Sequence, residues 1–206
     1  MNYERLTQFI PKDHGVFLEA GANDGVLQSY TCRLEKERNW TGVLVEPALI
    51  AFKACKLNRP KSRVLNCALT DENVSTLTGD FDGNPMSSVG GSRLNRSAAV
   101  SVAAVSLSYV FASYFREVTV DLMSIDVENY ELKVLRSLDY GRFRPRFILV
   151  EIYKGSFYDV VNLLVSNNYG LVGNITDFNL QNNPHWDGTH NDYLFADQSA
   201  PPGPTR

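Results

Sequence analysis

Short apolar runs alternate along this chain with longer stretches whose apolar residues recur every three or four positions. The first run, Val16–Glu19, reads as a strand. Val26–Arg38 reads as a helix, because Leu27, Tyr30, Thr31 and Leu34 fall on one helical face. Gly42–Glu46 is a second strand, apolar on both faces as buried parallel strands tend to be. Pro47 suits the first turn of a helix running to about Asn58, and Arg63–Cys67 is a third strand. The order strand, helix, strand, helix, strand calls for right-handed crossovers and a parallel sheet.

The middle of the chain is less regular. Asp80–Arg96 is rich in Gly, Asn, Pro and Ser and reads as a long loop. Val100–Val105 reads as a strand, and Ser106 as the cap of a short helix through Phe115. Regularity returns with a strand over Val120–Asp126 and a helix over Glu128–Leu138, with Leu132, Leu135 and Leu138 on one face. A strand over Arg146–Glu151 and an amphipathic helix over Ser156–Val165 follow. Tyr169–Asp197 reads as two strands separated by a polar loop, Tyr193–Ala196 being the last. The fold class expected is a Rossmann-like α/β sheet, mostly parallel and twisted, with helices on both faces.

A length of 206 residues fits one domain, placed at 1–198, and 44% hydrophobic residues suffice for its core. Residues 199–206, Ser-Ala-Pro-Pro-Gly-Pro-Thr-Arg, read as a tail or a linker to further chain, because their prolines lack donors. A net charge of −3 points neither to nucleic acid nor to an anionic membrane. Cys32, Cys55 and Cys67 are scattered and form no metal-binding or disulfide pattern, so they read as small buried hydrophobes. The start Met1-Asn-Tyr-Glu-Arg lacks a signal-peptide pattern, and no apolar run is long enough to span a bilayer. A soluble, cytoplasmic protein without a membrane partner is therefore expected.

Chemistry collects first at Phe17-Leu-Glu-Ala-Gly-Ala-Asn-Asp-Gly25. A strand ending in an acid meets a turn whose Gly21 and Gly25 admit close approach of a ligand to the backbone. The following helix would present unpaired N–H groups. The spacing Glu-x-Gly-x-Asn-x-Gly differs from the Gly-x-Gly-x-x-Gly of dinucleotide sites and lacks the Gly-Lys-Ser/Thr of a P-loop. A ligand without pyrophosphate, such as S-adenosylmethionine, is the leading reading. The motif alone leaves an ordinary strand–turn–helix equally open.

Glu19, Glu46, Asp126 and Glu151 each end a strand, and strand ends of a parallel sheet share one crevice. Taken singly, each acid could equally cap a helix or pair with a surface base. Glu46 is placed to accept both hydroxyls of a ribose. Glu19 would orient the turn or meet a ligand's ammonium group. Asn23 and Asp24 offer polar contacts, Asp24 being alternatively a helix cap. Asp126 and Glu128 lie where a methyl donor would meet its acceptor, and a carboxylate there could take a hydroxyl proton. Glu128 reads alternatively as an acid complementing the dipole of the next helix. His190 could act as a base and Trp186 could stack on a ring, while His14 and His185 carry weaker signals. No metal site is expected. Asp126, Glu128 and Glu151 could supply oxygen ligands to a divalent ion, but no spacing demands one.

The ordered set Glu19–Gly25, Leu34-Glu35, Trp40-x-Gly42, Val45-Glu46-Pro47, Ile125-Asp126-Val127-Glu128, Arg144–Glu151 and His190-Asn-Asp-Tyr193 resembles the FkbM-type methyltransferases over about residues 15–197. The resemblance implies a class I methyltransferase fold with an antiparallel last strand and S-adenosylmethionine as donor. It also implies methylation of hydroxyl oxygens on sugars or natural-product rings, hence a small-molecule or carbohydrate acceptor. Carried over by position, Glu19, Gly21, Asn23 and Glu46 would contact the donor, together with the flanking Ala22, Asp24 and Gly25. Pro47, Ala68 and Asp126 complete that expected set. Asp126 and Glu128 would lie beside the donor's methyl group, with His190 as a third catalytic candidate. After Asp-Val-Glu the family usually has Gly, whereas this chain has Asn129, whose side chain could narrow the acceptor pocket.

Three rival readings stand beside this one. A dinucleotide-dependent oxidoreductase would share Glu46 but needs glycine near Asn23. An RNA 2′-O-methyltransferase would use a Lys-Asp-Lys-Glu set, for which Lys12, Asp126 and Lys154 fall in order, with Asp177 as a substitute acid. Its phosphate contacts would come from the basic clusters Arg59–Arg63 and Arg142–Arg146, which otherwise read as solvated surface. A donor-binding module without catalysis is the third.

Overall fold

The computed structural model describes residues 2–199 apart from Gly83, Pro85, Ala98 and His185. His185 and the Pro-rich stretch from residue 200 therefore lie outside the described residues.

The first strand, β1 (Val16–Ala20), lies third from one edge of a seven-stranded sheet. On one side it pairs in parallel with β2 (Thr41–Val45), which pairs in parallel with β3 (Arg63–Leu65). On the other side it pairs in parallel with β7 (Leu122–Ile125), followed by β8 (Phe147–Tyr153). The last strand, β10 (His190–Asp197), inserts antiparallel between β8 and β9 (Tyr169–Asn174). The order β3-β2-β1-β7-β8-β10-β9 is the mostly parallel Rossmann-like α/β sheet with one antiparallel strand that the pattern and the resemblance imply. The strand order reverses between β1 and β7, where ligands bind in open α/β sheets.

Helices cover both faces of the sheet. On one face, Leu18, Ala20, Val43 and Val45 pack against α4 (Leu107–Tyr114), α5 (Glu131–Arg136) and α6 (Phe157–Ser166). On the other, Phe17, Leu44 and Leu122 pack against α1 (Tyr3–Phe9), α2 (Tyr30–Arg38) and Cys55 of α3 (Leu49–Asn58). This two-sided burial explains why the central strands are apolar throughout. All three cysteines are buried free thiols. Among the described residues no helix is long and apolar enough to cross a membrane.

Several boundaries differ from the sequence pattern, each for a local reason. The second helix starts at Tyr30 rather than Val26. The Asp24 carboxylate accepts the backbone N–H of Val26 and Leu27 at 2.8 and 2.7 Å, closing a turn, and Ser29 then caps the helix through Cys32 N. Pro47 stands outside α3, which begins after Ala48. The expected strand Arg63–Cys67 splits. Beyond Leu65 the chain leaves the main sheet, and β4 (Ala68–Leu69) joins β6 (Val100–Val105) and β5 (Thr76–Gly79) in a separate three-stranded sheet. The helix expected from Glu128 starts at Glu131, because Glu128 and Asn129 take left-handed φ of 56° and 71°. The helix α1, capped by Asn2, and the strand β5 carried no pattern long enough to predict.

Candidate active site

The site begins where β1 ends. Gly21 N and Ala22 N both donate to the carbonyl of Val45, at 3.0 and 3.1 Å, which bends the turn toward β2. Gly21 has φ +80°, and a Cβ there would stand 1.6 Å from the carbonyl oxygen of Asp126. Only glycine lets the first turn pass this close to the end of β7. Asn23 follows with φ +47°, and its N–H donates to Glu46 Oε2 at 2.8 Å. The other oxygen of Glu46 accepts Ala48 N at 2.7 Å. Glu46 thus ties the turn after β1 to the turn after β2. It is buried, and desolvation pushes its carboxyl up to about 7 against the opposing pull of these two N–H groups. Each of its oxygens keeps a further lone pair.

A cleft opens between these turns. It is lined by Gly21, Asn23, Glu46, Pro47, Ala68, Asp126 and Glu128, which were expected there, and by Cys67, Leu69, Phe81, Ser88 and Tyr130, which were not. Phe81 and Ser88 belong to the long irregular segment, which folds back over the strand ends and is anchored by Asp80, whose Oδ1 accepts Ser88 N at 2.7 Å. Ala22, Asp24 and Gly25 do not line this cleft. Asp24 is turned to the helix-capping turn, as its alternative reading had it, and Gly25 packs on Arg59 and Cys55. Asn129 is exposed and outside the lining, so its side chain does not narrow the cleft.

Beneath the turn lies a buried charge network. Arg59 is wholly buried and donates to Gly25 O, Thr31 Oγ1 and Glu35 Oε2. Its Nη1 stands 3.8 Å from Glu19. Glu19 Oε2 also accepts from Ser29 Oγ at 2.8 Å and from Thr31 Oγ1. Burial raises the Glu19 carboxyl above its ordinary value, with Thr31 and Arg59 opposing. Arg59 is therefore no part of a solvated basic surface, contrary to its reading as one end of such a cluster.

The other side of the site is carboxylate-rich. Asp126, Glu131 and Glu151 each bring an oxygen within 4.8 Å of the others. Glu131, in the first turn of α5, holds the preceding bend: its Oε1 accepts Val127 N at 3.1 Å and Asn129 N at 3.0 Å. Glu128 does not serve that helix. Its Oε2 accepts Tyr153 Oη at 2.9 Å and Arg93 Nε at 3.2 Å, and Arg93 reaches on to Asp187. Burial, then the neighbouring Glu128, raises Asp126 well above the usual carboxylate range. Burial, then Asp126, pushes Glu151 up to about 11.

His190 opens β10 opposite Tyr153, and its Nε2 stands 3.2 Å from Glu151 Oε1. Burial lowers the pKa of this imidazole, against the opposing pull of Asp187. Trp186 is used locally, donating from Nε1 to His190 O at 2.8 Å, with Lys154 over its ring. Asp192 faces Tyr30, whose hydroxyl donates to it at 2.9 Å. Arg93, Glu131, Tyr153, Asp187 and Asp192 were missed by the sequence reading. Asp192 and Tyr193 were visible only as part of a motif, and Glu131 could have been found as an acid in the first turn of a predicted helix.

The Lys-Asp-Lys-Glu arrangement is not assembled. Lys12 binds Asp121 at 2.7 Å, ahead of β7, whereas Asp126 follows its far end, roughly 15 Å away at strand spacing. His14 sits at that same distant end, ahead of β1, and Asp177 pairs with Arg5.

Known proteins place this geometry. A model of the methyltransferase FkbM domain matches residues 19–171. No curated protein sequence matches the chain significantly. Among solved structures, the fold is similar to a ribosomal protein L11 methylase from Lactobacillus delbrueckii subsp. bulgaricus, with a TM-score of 0.56, 9% identity, and 94% of this chain and 75% of that one covered. A TehB-like SAM-dependent methyltransferase from Corynebacterium glutamicum gives a TM-score of 0.51 at 12% identity, with 96% and 88% covered. Fibrillarin from Aeropyrum pernix with natively bound S-adenosyl-L-methionine gives 0.51 at 14% identity, with 90% and 67% covered. At such identities these likenesses establish the fold, and the family rests on the domain match. On that match this chain belongs to the FkbM methyltransferase family, built on the class I S-adenosylmethionine-dependent methyltransferase fold.

Proposed function

We propose that this protein transfers a methyl group from S-adenosylmethionine to a hydroxyl oxygen of a sugar or of a natural-product-like small molecule. The observation that carries the reading is the meeting of two unlike walls at Asp126. One wall is the glycine turn with Glu46, Pro47 and the apolar Cys67–Leu69 and Phe81, suited to an adenosine. The other is the carboxylate corner with His190, suited to a hydroxyl and its proton.

In this reading Glu46 uses its remaining lone pairs for the ribose hydroxyls, and Asp126 lies beside the sulfonium. The acceptor oxygen forms its bond to the methyl carbon as the carbon–sulfur bond breaks. The sulfur keeps that electron pair and leaves as a neutral thioether, and the hydroxyl proton passes to Asp126. Alignment of the two reactants would supply about 7–11 kcal/mol and general-base help roughly 10²–10⁴-fold, so positioning outweighs the base. Beyond His190, a shallow depression lined by Phe157, Tyr158, Tyr193 and Lys154 offers ring faces and a donor to a polar ring, which favours a sugar-like acceptor.

The test is a calorimetric titration with S-adenosylmethionine, S-adenosylhomocysteine and NAD. Binding of the first two alone is expected. Failure of both to bind sinks the reading, and binding of NAD alone would favour an oxidoreductase. Radiolabelled donor offered with a panel of sugars then tests the acceptor class.

A further inference from the structure

Asp126, Glu131 and Glu151 come from three separate places: the end of β7, the first turn of α5 and the interior of β8. The fold nevertheless directs one oxygen of each into a single spot, all within 4.8 Å of one another. Among the described residues, no lysine or arginine nitrogen lies within 4.0 Å of any of the three, and His190 is their single basic contact. Arg93 is engaged by Glu128 and Asp187, and Arg59 by Glu19 and Glu35.

A second observation is independent of this grouping. Glu151 is only 7% exposed and its Oε1 faces His190, yet its Oε2 is buried with no hydrogen-bond partner among the described residues. Glu151 lines a small cleft with Gly21, Tyr30, Asp126 and Asp192, adjoining the donor turn. A buried carboxylate oxygen without a donor carries a full desolvation cost, which either a proton shared with Asp126 or a bound cation would relieve. The available ligands are all carboxylate oxygens, with neither sulfur nor a converging pair of imidazoles. That set suits a hard cation of the Mg²⁺ or Mn²⁺ type.

We propose that Asp126, Glu131 and Glu151 form a divalent-cation site at the acceptor end of the cleft. Glu128, which its position in the sequence would allow as an oxygen ligand, is not part of it, because Tyr153 and Arg93 hold its carboxylate. An octahedral ion bound by three carboxylates keeps positions for water and for one further oxygen. The role of that position rests on the O-methyl transfer proposed above. The acceptor hydroxyl would bind there, the ion would lower its pKa, and the second oxygen of Asp126 would still take the proton.

The experiment is a calorimetric titration of the full chain with MnCl₂, with and without S-adenosylmethionine. One saturable Mn²⁺ site, retained when the donor is bound, is expected. Glu151→Gln and Asp126→Asn should each weaken Mn²⁺ by about tenfold or more, since affinity follows the number of charged ligands. Glu128→Gln should leave it within a few-fold. Donor binding by each variant checks that it is folded. Donor binding without saturable Mn²⁺ binding overturns the site, as when Asp126 and Glu151 simply share a proton. Mutual exclusion of Mn²⁺ and donor also overturns it, by assigning the small cleft to the donor's ammonium group. Mn²⁺ binding without donor binding leaves the site standing and defeats the donor reading instead. Unchanged Mn²⁺ affinity in Glu151→Gln overturns the ligand set.

Discussion

Gly21 and Asp126 approach so closely that a methyl group on the glycine would stand 1.6 Å from the aspartate's carbonyl oxygen. The contact joins the two strands that flank the reversal of strand order, and Gly21 also carries φ +80°. Gly21→Ala should therefore cost roughly 2–5 kcal/mol through strained backbone and steric overlap together. Urea denaturation should show the loss as a lower midpoint at unchanged slope, and the folded fraction should bind the donor poorly. A variant of wild-type stability would mean that the turn is looser than described.

Glu46 links stability to pH. Its carboxyl is raised by burial from the ordinary value to about 7. Because the folded-state value is the higher one, its contribution is complete below the unfolded value of about 4.3 and is lost as pH rises through about 7. The loss amounts to roughly 3.5 kcal/mol. Thermal melts of the wild type and Glu46→Gln, compared from pH 4.5 to 8, should show the wild type losing ground as pH rises. A pH-independent difference would contradict the buried, raised carboxyl. Donor affinity should move the other way and increase with pH, because ribose hydroxyls donate best to the ionised form.

Asp126→Asn should leave donor binding largely intact while lowering turnover by roughly 10²–10⁴-fold. Single-turnover kinetics beside donor calorimetry separate the two effects. A variant that loses donor affinity and keeps its rate would reverse the assignment.

Arg93 joins Glu128 to Asp187, and with them two long irregular segments meet over the acceptor end. Arg93→Ala would free both carboxylates. The acceptor KM should rise while donor affinity stays within a few-fold, since among the described residues Glu128 is the one cleft-lining side chain that pairs with this guanidinium. A change confined to donor binding would place Arg93 elsewhere in the reaction.

Arg59 has no exposed surface and neutralises Glu19 and Glu35. Arg59→Met should cost about 3–5 kcal/mol, the usual penalty for leaving buried carboxylates unpaired. Equilibrium denaturation measures it. The companion variant Arg59→Met/Glu35→Gln should recover part of the loss, and no recovery would argue against the pairing.

The sheet was legible because its strands are apolar on both faces, a signal that needs no knowledge of neighbours. The turn after β1 was legible because a glycine at a special φ leaves a spacing in the chain. What stayed hidden depends on pairing at long range. Arg59 looked like a surface base because a single sequence does not display Glu19 and Glu35 closing around it. Glu131 was overshadowed by Glu128, since the helix appeared to start three residues early. Arg93 and Asp187 sit in segments without periodicity, and only the fold brings them to Glu128. Of the small sheet, β6 was legible at Val100–Val105, whereas β4 and β5 escaped because they span only two and four residues.

The placement of β10 between β8 and β9 has a consequence for the order of assembly. β9 is hydrogen-bonded to no other strand of the main sheet, so it hangs without a ladder until residues 190–197 are in place. The same strand brings His190 opposite Tyr153 and Asp192 opposite Glu151. The half of the sheet nearest the glycine turn can pair from contacts made early along the chain. The acceptor corner waits for pairings that span the longest loop closures, which form slowest. A nascent chain would hold a nearly formed glycine turn well before the carboxylate corner beside it was complete, so any S-adenosylmethionine captured early would be kept apart from that corner until synthesis had passed β10.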